Sequence, residues 1–153
     1  VAGEGDGVMS IHQDPCDPGA GNPQTAGILF GPTNSGKFYL STYRHRGSGS
    51  RMHKSKWSIA PALECCIFRS ADDADWNCSR GHYWGVHDGG TTELGEQGER
   101  LCKFPCTSNN HDPWHGYPVL SQDDAPPDEL VENWIAQGVV TKPVGRRIQR
   151  RKI

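Results

Sequence analysis

The sequence predicts an α+β domain: a small antiparallel β-sheet first, a C-terminal pair of short helices last, and many loops between. Three observations lead there. Short β-prone runs, "AGILF" and "KFYLSTY", fill the first part of the chain and are bounded by Gly, Pro, Asn and Ser. Helical periodicity is clearest near the C-terminus, in "DELVENWIAQG". Nineteen Gly and eleven Pro among 153 residues, with 34% hydrophobic residues, leave a loop-rich chain around one core. Five Trp, four Tyr and four Phe must supply much of that core, since each aromatic buries roughly 150–250 Å².

The elements follow in order. Residues 1–25 alternate Gly and Pro with polar residues and read as a flexible N-terminal arm, so the domain proper spans 26–153. "AGILF" and "KFYLSTY" flank "GPTNSG" and read as a β-hairpin. The join also contains G-x-x-x-x-G-K (residues 31–37), the spacing of a phosphate-cradling loop. That reading fails on its flanks. Phe38, Tyr39, Thr42 and Tyr43 are poor helix formers, and Phe38 stands where a Ser or Thr would hold Mg²⁺. "RHRGSGSRMHKSK" is a basic loop. "WSIAPALECCIF" is a buried strand or a short helix, and "RSADDADWN" a turn. "GHYWGVH" reads as a strand, "DGG" as a turn, and "TTELGEQGERLCKF" as an irregular strand region. Residues 105–119 read as a loop packed by Trp114 and Tyr117. The helix pair is placed over 124–152. Asp123 or Asp124 is near the first N-cap and Thr141 is the second. Val140, Val144 and Ile148 form the second helix's apolar stripe.

No apolar run reaches the ~20 residues a membrane helix needs. The first residues lack a basic and an apolar region of the signal-peptide kind, which points to a soluble, cytoplasmic chain. A small domain of bacterial type is the expectation. Val1 is unusual as a first residue, and Met9 is an alternative start. The six Cys are then expected as reduced, mostly buried thiols.

Charge layout is the most specific signal. Lys37, Arg44, Arg46, Arg51, Lys54 and Lys56 form one basic cluster, interleaved with Phe38, Tyr39, Tyr43 and Trp57. Lys142, Arg146, Arg147, Arg150, Arg151 and Lys152 form another. Together they hold 12 of the 16 Lys and Arg, with no Asp or Glu inside either segment. Cations neutralise phosphates and flat rings stack on bases, so this pattern suits RNA, DNA or another polyanion, with Tyr39, Tyr43 and Trp57 as stacking candidates. The competing account is self-pairing, because residues 64–133 hold 14 of the 18 acids. A second functional class is a protein-interaction module of immunity or regulatory type, whose bipolar surface docks a partner.

A third class is an enzyme. Cleavage of RNA through its 2′-hydroxyl needs an acid, a base and a cation, and histidine suits the first two. His45, His53, His82, His87 and His115 are the candidates, without a diagnostic spacing. "WHGYPV" lies in a loop whose His111, Trp114, His115 and Tyr117 are candidate pocket-lining residues. No metal site is expected. The zinc set Cys102, Cys106, His111 and His115, which a looser site could widen with Cys78, His82 or His87, has too short a gap between its ligand pairs for a zinc finger.

Overall fold

The computed structural model describes residues 16–46 and 55–153. The architecture is the α+β one the sequence predicts, with two three-stranded antiparallel sheets in place of one. The first sheet runs β1 (Asn22–Pro23), β2 (Gly27–Phe30), β3 (Tyr39–Thr42). β2 and β3 are the predicted hairpin, with Phe30 opposite Tyr39 and Gly27 opposite Thr42. A helix, α1 (Pro61–Ala74), follows. The second sheet is β4 (Tyr83–Gly85), β5 (Leu101–Phe104), β6 (Tyr117–Val119). Two helices close the chain, α2 (Asp128–Ala136) and α3 (Lys142–Gln149).

α1 begins where Pro61 occupies the first helical turn, a place where its missing N–H costs nothing. Glu64, Ile67, Phe68, Ala71 and Asp72 recur at helical spacing on its buried side. The helix absorbs most of "RSADDADWN", which the sequence reading took for a turn. It stops only at Asp75, whose φ of 56° is left-handed.

Alternation in the second sheet creates two cores. Tyr83, Cys102 and Phe104 face α1, while Trp84, Leu101 and Val119 face the helix pair. Phe68 is the centre of the first core, with ring centroids 5.3 Å from Tyr39, 5.2 Å from Phe104 and 5.6 Å from Trp114. Trp134, fully buried, is the centre of the second core, and Trp76 packs against both. Trp114 joins the sheets through its backbone. Its N–H donates to the Phe38 carbonyl at 2.8 Å, and its carbonyl accepts from Leu40 at 2.7 Å.

Several boundaries differ from the sequence reading. The 105–119 loop ends early, because Tyr117–Val119 pairs with β5. α2 starts at Asp128 with Pro127 before it. Asp124 instead accepts from Lys103 Nζ at 2.8 Å and caps only the Ala125 N–H. Thr141 does cap α3, accepting from the Val144 N–H. Of the expected arm, residues 1–15 lie outside the described residues. Residues 22–23 pair with β2 and Cys16 is disulfide-bonded to Cys66, so 16–25 lies against the domain. That bond also corrects the expectation of six reduced thiols. Among the described residues, no helix is long and apolar enough to cross a membrane.

Candidate functional site

The G-x-x-x-x-G-K loop is occupied by the protein's own carboxylate. Asp72, on the buried stripe of α1, accepts from Thr33 Oγ1 at 2.9 Å, Ser35 Oγ at 2.6 Å and Tyr83 Oη at 3.3 Å. Lys37 Nζ lies 2.9 Å from Asp72 Oδ1. Asn34 reaches the neighbouring Asp73. The spacing that would cradle a phosphate here fastens a hairpin to a helix. Burial works against the Asp72 charge, but the bonds from Ser35, Lys37 and Thr33 outweigh it and hold the carboxyl below its usual range. Burial likewise opposes the charge of Lys37, and the bond and charge of Asp72 outweigh it, holding the amine above its usual value.

A second cation of the first cluster, Arg46, is also turned inward. Arg46 pairs with Glu64, which is 0% exposed, and its Nε donates to the same carboxylate at 2.8 Å. Tyr39 Oη donates to Glu64 at 2.6 Å and Ser41 Oγ at 2.7 Å. Burial holds the Glu64 carboxyl above its usual value despite these donors. Tyr39 is itself fully buried and Trp57 is 3% exposed, its Nε1 donating to the Gly116 carbonyl. Their rings are covered by the core, which corrects their assignment as base-stacking groups. Tyr43 remains 49% exposed, Arg44 is exposed and Lys56 half-buried. Arg51, Lys54 and His53 lie outside the described residues.

The C-terminal cluster is different. Lys142, Arg147, Arg150, Arg151 and Lys152 are exposed. Among the described residues, one ion pair reaches this segment, Arg146 with Glu132. Arg147 and Arg151 also touch backbone carbonyls, of Lys152 and Ser121, which leave their charge uncompensated. α3 holds its cations outward because Ile148 and Gly145 face the second core. Gly145 packs closely there: a Cβ would stand 2.5 Å from Ile135 Cδ1, so that side chain would have to move.

The described histidines occupy separate surroundings. His45 is buried, its Nδ1 2.8 Å from the Ser55 carbonyl and its ring stacked on Tyr117. His82 Nδ1 accepts from the Cys106 N–H at 2.9 Å. Burial, then the charges of Lys103 and Arg80, lower its pKa. His87 lines a 670 Å³ cavity with Trp76, Asp88 and Val139. Asp88, at its rim, has a left-handed φ of 51°, followed by Gly89 and Gly90 at 70° and 82°. His111 is exposed on a turn built by Asn109, and His115 is half-buried. Trp114 packs on Phe68 and Tyr83, and Tyr117 on His45, so this segment is a packed corner. The zinc set does not assemble. Cys102 is 0% exposed, its thiol pushed well up by burial, while Cys106 and His111 are exposed. Among the described residues, no three His, Cys, Asp or Glu side chains form a group able to hold a metal ion.

The sequence reading missed Asp72 and Glu64. The signal was present: acids at positions 64 and 72 fall on the apolar stripe of a helix, where a carboxylate needs a cation partner. No protein-family model, characterised protein or solved structure matches this chain.

Proposed function

We propose that the chain binds polyanions, RNA foremost, through residues 142–152. The observation that carries this reading is the outward exposure of Lys142, Arg147, Arg150, Arg151 and Lys152, while Lys37 and Arg46 are spent on buried acids. The reading is narrower than one resting on both clusters. It assigns the interaction to a helix face and its trailing turn, with phosphate neutralisation as the mechanism and little base selectivity.

The test is fluorescence anisotropy with a mixed-sequence single-stranded RNA and a DNA duplex. If all five cations meet phosphates, a fourfold rise in salt, from ~50 to ~200 mM, weakens RNA binding roughly 100-fold. Absence of binding at ~50 mM salt refutes the proposal and leaves a protein partner as the reading to pursue.

A further inference from the structure

Cys16 and Cys66 form a disulfide across a sequence separation of 50, tying the start of the described chain to α1. Beside the bond lies a 290 Å³ cavity lined by Cys16, Asp17, Cys66, Arg69 and Asp73. Arg69 Nη1 stands 3.5 Å from Cys16 Sγ and donates to the Asp17 carbonyl at 2.9 Å. A cation there stabilises a thiolate on Cys16 and makes it the better leaving group. The adjacent Cys65 is a weak competitor. It is buried, and burial pushes its thiol up to about 11.

The segment behind the bond is lightly held. β1 has only two pairs with β2, Asn22 with Leu29 and Pro23 with Ile28. Gly21 lies so close to β2 that a Cβ would stand 2.4 Å from Ile28 Cγ2. Residues 21–23 therefore cover the edge of β2, and the disulfide ties the residues before them to α1.

We infer that Cys16–Cys66 is a redox latch: a thiol–disulfide exchange site for a dithiol reductant, whose opening releases residues 16–23 from α1 and uncovers the β2 edge. One thiolate of the dithiol attacks Cys66 Sγ through the cavity. The S–S bond breaks and its electron pair leaves on Cys16 Sγ beside Arg69. The second thiolate of the dithiol then displaces Cys66 and closes the reagent's own disulfide. The chain gains two electrons and, after protonation, two thiols, and the dithiol is oxidised. An uncovered strand edge is a template for pairing with another chain, which gives the latch an outcome beyond local loosening.

The test uses the air-oxidised chain treated with dithiothreitol, alkylated and mapped by mass spectrometry, with hydrogen–deuterium exchange in parallel. Cys16 and Cys66 should be labelled while Cys65 and Cys102 stay protected. Exchange of the β2 amides facing β1 should rise about tenfold. Arg69→Gln should slow reduction roughly three- to tenfold, and Arg69→Lys should recover most of the rate. Cys16→Ser should show the reduced chain's exchange pattern without any reagent. Labelling of Cys65 and Cys102 at the same rate as Cys16 would mean that reduction follows global unfolding, which overturns the latch. So would unchanged β2 exchange after selective reduction, or free Cys16 and Cys66 thiols in the oxidised chain.

Discussion

Replacing Asp72 with Asn tests the reading of the 31–37 loop as a carboxylate clamp. The Asp72 side chain is 2% exposed and receives Thr33, Ser35 and Lys37 within 2.6–2.9 Å. Hydrogen bonds to a charged group contribute about 1.5–3 kcal/mol each and neutral ones about 0.5–1.5. Asn keeps the shape and one acceptor but removes the charge from all three bonds. Lys37, 28% exposed, recovers part of its loss in water, so the net cost is about 2–3 kcal/mol. In urea, with a slope of roughly 2 kcal/mol per M, the midpoint should fall by roughly 1–1.5 M. The pH dependence follows from the lowered carboxyl. A group depressed in the folded state contributes its full stability above its unfolded value, about 3.9. That contribution begins to fall near pH 4 and is gone only below the folded value, so wild type and Asp72→Asn should start to approach each other below about pH 4 and meet below the folded value. A nucleoside triphosphate with Mg²⁺ should leave the wild-type midpoint unchanged, because the loop's donors are engaged. An unshifted midpoint for the variant, or stabilisation of wild type by the nucleotide, would refute the clamp.

Glu64→Ala leaves Arg46 half-buried without its carboxylate and should cost about 3–5 kcal/mol in urea unfolding. The pH sign of Glu64 is opposite to that of Asp72. Its carboxyl is raised in the folded state, so its contribution falls as pH rises from about 4.3 toward the folded value. Comparing stability curves of wild type and variant between pH 4 and 7 reads that slope. Gly145→Ala drives a Cβ to 2.5 Å from Ile135 Cδ1. It should cost about 1–2 kcal/mol after the helix-propensity gain, a fall in melting temperature of roughly 2–8 °C.

Local signals were legible where local chemistry decides the outcome. The hairpin of "AGILF" and "KFYLSTY" follows from β-prone residues around a turn, and α3 from Thr141, Pro143 and the Val140–Val144–Ile148 stripe. What escaped depends on contacts between distant residues. The pairing of Asp72 and Glu64 was not legible, since their partners lie 35 and 18 residues away at Lys37 and Arg46. Tyr39 and Trp57 sit within a basic stretch, and only the packing of Phe68 and Gly116 shows that they belong to the core. The partner of Cys66 lies 50 residues back, beyond any spacing rule. The C-terminal basic face was legible because its charges need no partner to be exposed.

The central claim is that residues 142–152 carry a phosphate-binding surface. Its most direct test is the slope of log K against log salt for single-stranded RNA. Compare wild type with a variant in which Arg147, Arg150, Arg151 and Lys152 are all Gln. Five engaged cations predict a slope near about −3.5, and the variant, with Lys142 alone, near about −0.7. Equal slopes for the two chains would place the binding surface elsewhere and contradict the account.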